Sequence, residues 1–175
     1  DGLVEMERSS LSLRSRKLFT LSSLYTATSE LFQGLELDGP EAASHLLIQY
    51  WEEVASHIPE WQRVRDGEMS AGEVRSDFIH SHGTVLQALG VVGNHLLKHR
   101  PVDWTVRLCS LEQIDWKRAN SQAWEGRTTV GGRISRSNRS VRLTANAIKR
   151  RLGLELTPLE QQEEELFRTG AEVRE

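Results

Sequence analysis

SAGEVRSDFIHSHGTVLQALGVVGNHLL, residues 70–97, carries apolar side chains at three- and four-residue spacing. This spacing predicts a helix, and the capping-box pair Ser70 and Glu73 predicts its first turn. Gly83, Gly90 and Gly93 interrupt the helix, and each glycine costs about 1 kcal/mol relative to alanine. Because Gly83 and Gly90 share one face, we expect another helix to approach closely there, and a break near Gly90 is the alternative.

Upstream of this stretch, the same periodicity predicts two more helices. Apolar residues between positions 18 and 32 predict a first helix over about 10–33. Pro40 predicts the start of a second helix, because proline suits the first helical turn. That helix should end before Pro59, because proline disfavours helical dihedrals in the residue before it.

Downstream, a short helix is expected after Pro101, and residues 115–143 have no clean period. Helical signals resume with Thr144 as a possible N-cap for residues 145–152. Residues 157–160, TPLE, combine a capping box with a proline in the first turn and predict the last helix.

These patterns predict an all-α helical bundle with an irregular Arg/Ser-rich basic loop near the C-terminus. A chain of 175 residues suits one domain, so residues 1–175 are expected to form a single helical domain. Within it, 115–143 is expected to be an irregular basic insert and 155–175 an acidic C-terminal helix or tail.

Composition excludes several classes of protein. Hydrophobic residues make up 38%, charged residues 27%, and the mean hydropathy is −0.47, which disfavours a membrane protein and low-complexity disorder. The opening residues DGLVE show no signal peptide, and the absence of an initiator methionine suggests a piece of a longer protein. A single cysteine, Cys109, excludes an internal disulfide and points to the cytoplasm. Its apolar neighbours predict a buried, inert thiol.

No catalytic motif is visible in the sequence. A Walker-type phosphate loop and a dinucleotide-binding glycine pattern are both absent, and Gly131–Gly132 is expected to form a tight turn rather than a nucleotide cradle. His95 and His99 share a helical face, but without a metal-binding motif they predict no metal site. His82 is expected to be a hydrogen-bonded core histidine. The sequence thus predicts no cofactor and leaves open whether the protein is an enzyme.

Charge is strongly segregated along the chain. Residues 126–151 contain no Asp or Glu, whereas residues 154–175 contain seven glutamates against two arginines. Arginine suits bidentate contact with phosphate, and the interleaved Ser and Asn side chains add neutral donors. The basic residues predicted to contact nucleic acid are Arg127, Arg133, Arg136, Arg139, Arg142, Lys149, Arg150 and Arg151. The alternative is that these cations pair with the acidic tail.

Several stretches resemble the C-terminal region of the DndB family, DGQHR-domain proteins of bacterial DNA phosphorothioate (DNA sulfur) modification systems. They are 115–120 (DWKRAN), 124–127 (WEGR), 131–135 (GGRIS) and 143–149 (LTANAIK), with 15–21 (SRKLFTL), 25–28 (YTAT) and 78–83 (FIHSHG) upstream. The Asp-Gly-Gln-His-Arg motif that names the family domain is absent. The resemblance therefore implies a C-terminal helical fragment, DNA association and a role in regulating or assisting the modification system, which serves in phage defence.

Two hypotheses follow from these observations. In the first, the chain is a DNA-binding, regulatory component whose basic loop contacts the phosphates of duplex DNA. In the second, it is an interaction module without DNA contact that docks its own N-terminal domain or a modification enzyme. Five tryptophans would supply the anchors for such docking: Trp51, Trp61, Trp104, Trp116 and Trp124. Neither hypothesis involves a membrane.

Overall fold

The computed structural model describes residues 2–12, 14–100 and 102–170 of the chain. Most of the regular structure in these ranges is helical, which confirms the predicted helical character. No helix in them is long and apolar enough to cross a membrane. The helices are α1 Leu21–Phe32, α2 Pro40–Ser56, α3 Pro59–Arg65, α4 Ala71–Asp77, α5 Gly83–His99, α6 Trp104–Leu108, a 3-10 turn at Cys109–Gln113, α7 Ser121–Trp124, α8 Asn138–Arg151 and α9 Pro158–Thr169.

Two small sheets depart from the all-α prediction. β1 (Val4–Glu5) pairs in parallel with β2 (Phe19–Thr20), and β3 (Thr129–Val130) pairs antiparallel with β4 (Arg133–Ile134). Each strand has only two residues. A period-two pattern needs about four residues to be recognised, so the sequence could not show these strands.

The core is built around α5, which packs against α1 and α8. The side chains of Val85, Leu86, Leu89 and Leu96 are fully buried. These residues point to several sides of the helix, as expected for a helix that neighbours surround. Tyr50 of α2 reaches the same core and donates a hydrogen bond to the carbonyl oxygen of Leu89 at 2.5 Å.

Helix α1 lies close to α5 because α5 has glycine where the two backbones meet. A Cβ atom on Gly90 would lie 2.1 Å from the carbonyl oxygen of Ala27. A Cβ atom on Gly83 would lie 3.4 Å from Ser23 Oγ, which is an ordinary contact distance. The predicted close approach of another helix is therefore confirmed, and α5 continues through Gly90 without a break.

The long helix predicted over residues 70–97 is divided into α4 and α5. The chain leaves the helical conformation at Phe78, where φ is −122° and ψ is 156°. Phe78 forms an antiparallel bridge with Lys117, and the Ile79 N–H donates to the carbonyl oxygen of Trp116 at 3.0 Å. The break thus depends on pairing with a distant segment, which local periodicity does not report.

The other helix boundaries follow their local signals to different degrees. Helix α2 begins at Pro40 and ends before Pro59, as predicted. Pro59 then begins α3, a helix that the periodicity did not predict, because proline both ends one helix and suits the first turn of the next. Helix α1 is shorter than predicted and begins after Thr20, whose side chain accepts a hydrogen bond from the Ser23 N–H.

The C-terminal helices lie on either side of Gly153. Helix α8 begins well before the predicted N-cap Thr144, because Ser137 takes that role and accepts a hydrogen bond from the Ser140 N–H. Residues 138–143 are therefore helical rather than part of a loop. Helix α9 has the predicted capping box between Thr157 and Glu160.

Two stacked tryptophans attach residues 116–124, which precede the hairpin formed by β3 and β4, to the core. The rings of Trp116 and Trp124 lie 5.7 Å apart between centroids and are inclined by only 4°. The indole N–H of Trp116 donates to the Leu111 carbonyl, and that of Trp124 donates to the Asp115 carbonyl. Because both rings are buried and hydrogen-bonded, they hold the segment between them in one conformation.

Cys109 is exposed, so the predicted buried thiol is wrong. It begins the 3-10 turn after α6, and its neighbours Leu108 and Leu111 occupy the core instead. We expect a thiol reagent to label the native protein at Cys109 about as fast as it labels a small free thiol. The rate should change little on addition of denaturant. Labelling that requires unfolding would contradict this placement.

Candidate nucleic-acid interface

The eight basic residues predicted to contact nucleic acid fall into two groups. Four of them pair with carboxylates of α9: Arg127, Arg142, Lys149 and Arg150. The other four are exposed and form no ion pair with any residue that the structure describes: Arg133, Arg136, Arg139 and Arg151.

Of these ion pairs, the pair of Arg127 and Glu164 has the most hydrogen bonds. Arg127 Nη1 and Nη2 donate to the two oxygens of Glu164 at 2.6 and 2.7 Å. Nη1 also donates to the carbonyl oxygen of Leu143, and the guanidinium lies 4.2 Å from the ring centroid of Phe167. The side chains of Arg127 and Glu164 are 13% and 4% exposed. Arg127 therefore attaches α9 to the rest of the fold.

Two opposing effects set the pKa of Glu164. Burial removes water from the carboxylate and by itself raises its pKa, but the hydrogen bonds and charge of Arg127, together with the charge of Arg150, outweigh this effect. The pKa of Glu164 consequently lies below its ordinary value. The pair is therefore ionised at neutral pH.

Acidic side chains of α9 also neutralise three of the cations of α8. Lys149 is 3% exposed, and its Nζ donates to Glu160 at 2.5 Å. Arg142 pairs with Glu163, and Arg150 Nη1 lies 3.2 Å from a Glu164 oxygen. The ammonium group of Lys149, one of the residues predicted to contact phosphate, is thus buried against Glu160.

The exposed group lies mainly at the start of α8. Arg133 belongs to β4, Arg136 to the connection that follows it, and Arg139 to the first turn of α8. The N-terminus of a helix carries a partial positive charge that favours anions. Arg151 lies at the other end of α8, about 18 Å along the helix axis from Arg139 at 1.5 Å per residue. The three arginines of the first turn and hairpin can thus act together, whereas Arg151 stands apart.

The Gly131–Gly132 pair forms the turn of the β3–β4 hairpin. Both residues have a positive φ, 58° and 71°. A two-residue hairpin turn of this kind requires a positive φ at both central positions, which glycine adopts readily. Their N–H groups donate to the carboxylate of Glu125, which also accepts from Thr129 Oγ1. The predicted turn is therefore confirmed, and its backbone donors are already occupied by an acid.

Three histidines, His80, His82 and His95, lie in environments that disfavour their charged forms. His80 is buried and accepts a hydrogen bond at Nδ1 from the Trp61 indole at 2.9 Å, and burial lowers its pKa. Burial also lowers the pKa of His95, to about 4. His82 is half-buried at the N-cap of α5, and its Nε2 donates to the Arg75 carbonyl. Among the described residues no group of three or more His, Cys, Asp or Glu could hold a metal ion.

Residues 1–155 match the model of a known protein family. That family model is described as "DndB: DNA-sulfur modification-associated". No curated protein and no solved structure matches the chain. The matched span includes the β3–β4 hairpin and all of α8, and it ends before α9.

Proposed function

The chain belongs to the DndB family of proteins associated with DNA sulfur modification, and from that premise we propose that it binds duplex DNA through phosphate contacts. In this proposal the chain is a DNA-binding, regulatory component of a phosphorothioate modification system. Arg133, Arg136 and Arg139 make the contacts, and the N-terminus of α8 adds its partial positive charge.

One observation carries the proposal. These three arginines have no carboxylate partner among the described residues, although α9 supplies several carboxylates to other cations of α8. An isolated exposed arginine gains little for folding, so a cluster of them without acids favours an external polyanion. Phosphate contacts of this kind position a protein on DNA without reading sequence.

The paired cations take a different part in the proposal. Arg127 and Lys149 hold α9 in place, and Arg142 and Arg150 are partly exposed but already neutralised. They would contribute to DNA binding only if α9 moved. Arg151 is a separate, single contact that would reach DNA only where the duplex extends along α8.

In the alternative hypothesis, an interaction module, exposed tryptophans would anchor the partner, but most of these tryptophans are buried. Four of the five tryptophans are buried in the core: Trp61, Trp104, Trp116 and Trp124. The fifth, Trp51, is half-buried and donates its indole N–H to Thr28 Oγ1 at 3.3 Å. A docking surface for a modification enzyme or for the family's N-terminal domain would therefore have to use other residues.

The test is duplex-DNA binding across a salt series. Each neutralised phosphate releases counterions, so log K falls with log salt by about 0.9 per contact. Replacing Arg136 and Arg139 together with alanine should weaken binding to all duplex sequences alike and make the slope shallower by about 2. Stability should change by no more than about 0.5 kcal/mol, because both side chains are exposed.

A charge-matched control separates local contact from net charge. Arg63 and Arg65 of α3 are also exposed, and the double variant R63A/R65A removes the same charge from another helix. Its salt slope should match that of the wild type. If R136A/R139A kept the wild-type affinity and slope, the proposed contact surface would be wrong.

A further inference from the structure

A cavity of about 630 Å³ lies at the N-terminus of α5. Its walls come from parts of the chain that are distant in sequence, namely residues 9–12, residues 81–84 at the start of α5, and Arg75, Arg118 and Arg136. Cavities of this volume are of the size that holds small ligands in proteins. The cavity shares only Arg136 with the proposed DNA-binding arginines.

The charged side chains that line the cavity are all arginines. Three arginines line it, and its described lining residues include no Asp or Glu. Arg75 donates to the backbone carbonyls of Ser12 and Ser15, and Arg118 donates to the carbonyl of Gly132. Backbone carbonyls fix the direction of a guanidinium without cancelling its charge. The described lining is therefore positively charged, and hydrogen bonds orient two of its arginines.

The start of α5 adds further donors. This helix has 17 residues, and its N-cap, His82, provides no side-chain hydrogen bond to the first turn. The N–H groups of Val85 and Leu86 donate to the His82 carbonyl. Those of Gly83 and Thr84 are therefore the ones without a partner within the helix, and they point toward the space before it. Together with the helix dipole they form a site that favours an anion.

Ser81 provides an independent observation that points to a ligand. Ser81 is 6% exposed and lines the cavity, yet its Oγ has no hydrogen-bond partner among the residues that the structure describes. A buried hydroxyl without a partner is unfavourable by about 1–3 kcal/mol, so nearly all such groups in proteins are satisfied. A ligand oxygen in the cavity would satisfy this one.

We propose that this cavity is a binding site for a phosphate group, held by the Ser81 hydroxyl, the first N–H groups of α5 and the arginines around it. A tetrahedral oxoanion fits these donors because all of them donate, and a phosphate oxygen accepts several hydrogen bonds. His82 is compatible with this assignment: burial lowers its pKa, so it is neutral at physiological pH and adds no charge. The proposal shares Arg136 with the duplex-binding proposal and otherwise rests on different residues.

Titration with inorganic phosphate tests the site directly, with chloride at the same ionic strength as the reference. The wild type should bind phosphate saturably and unfold at a higher temperature when phosphate is present. Ser81→Ala removes one hydrogen bond to a charged group and should weaken phosphate binding about tenfold. Without phosphate this variant should be no less stable than the wild type, because the hydroxyl it loses has no partner.

Two arginine variants complete the design. Arg136→Ala removes an exposed lining residue and should weaken phosphate binding several-fold without affecting the fold. Arg65→Ala removes an exposed charge on α3 that lies outside both proposed sites, and phosphate binding should be unchanged. The proposal is overturned if the wild type shows no saturable phosphate binding, or if neither Ser81→Ala nor Arg136→Ala weakens it.

A second pair of ligands distinguishes the source of the phosphate. A nucleoside monophosphate presents a terminal phosphate, and a dinucleoside monophosphate presents one phosphodiester of the kind found in the DNA backbone. Binding of the first with the same Ser81 dependence identifies a small phosphorylated molecule, and binding of the second identifies the nucleic-acid backbone. Failure of phosphate binding would leave the salt-series test of duplex DNA unaffected, so the two proposals can fail separately.

Discussion

Gly90→Ala is expected to destabilise the protein by at least about 2 kcal/mol, because added atoms in a closely packed site force the backbone to move. The new Cβ would lie 2.1 Å from the carbonyl oxygen of Ala27 and 3.1 Å from its carbonyl carbon. These are backbone atoms of α1, so no side-chain rotation can relieve the overlap. The gain of about 1 kcal/mol from replacing glycine inside a helix is too small to compensate. Chemical denaturation of the purified variant measures the loss.

Gly83→Ala is the matched control for this variant. The same substitution in the same helix places a Cβ 3.4 Å from Ser23 Oγ, which requires no movement. Its free energy of unfolding should stay within about 0.5 kcal/mol of the wild type. Equal effects at the two positions would show that helix propensity, rather than contact with α1, determines the outcome.

Glu164→Gln is expected to cost about 3 kcal/mol, the size found when one partner of a buried ion pair is removed. The substitution leaves the Arg127 guanidinium largely buried without its counter-charge, and it also removes the partner of Arg150. Glu165→Gln is the control on the same helix. Its partner Arg168 is exposed, and such surface pairs contribute about 0–1 kcal/mol.

The effect of Glu164→Gln should depend on pH in a definite direction. The pKa of Glu164 in the folded protein lies below the ordinary value of 4.5, so its carboxylate contributes stability that is complete above that value. This contribution is lost as the pH falls through the lower, folded-state pKa. Denaturation curves should therefore show a large difference between wild type and Glu164→Gln at neutral pH that shrinks in acid. A difference independent of pH would mean that the glutamine disturbs packing rather than charge.

Local signals explain which helices could be predicted from the sequence. The start of α2 at Pro40 and the capping boxes of α4 and α9 depend on residues within one helical turn, so they are visible in the sequence. The close approach at Gly90 was also predictable, because glycine inside a helix needs a packing reason. Its partner, Ala27, was not, because periodicity says nothing about which helices meet.

The features that the sequence could not predict depend on contacts between distant residues. The interruption between α4 and α5 is made by the pairing of Phe78 with Lys117, and the exposure of Cys109 follows from a 3-10 turn. The basic segment appeared uniform in composition, yet the fold neutralises Arg127 and leaves Arg136 exposed. Sequence can count charges, but it cannot tell which carboxylate will face which arginine.

The same limit applies to the phosphate cavity. Arg75 and Arg118 were not among the predicted site residues, because neither lies in the basic segment and neither belongs to a recognised phosphate-binding pattern. The fold brings them to the start of α5 from either side of it in sequence. Arg118 does lie in the family-like stretch 115–120, which was the available signal.

The stacked indoles of Trp116 and Trp124 give the molecule an intrinsic optical marker. Two indole rings this close couple their electronic transitions, which changes the ultraviolet circular dichroism of both rings as long as they stay stacked. This signal depends on the segment between the two rings rather than on the amount of helix. Spectroscopy of each variant can therefore follow that segment and the helical core separately, in one cuvette and without an attached dye.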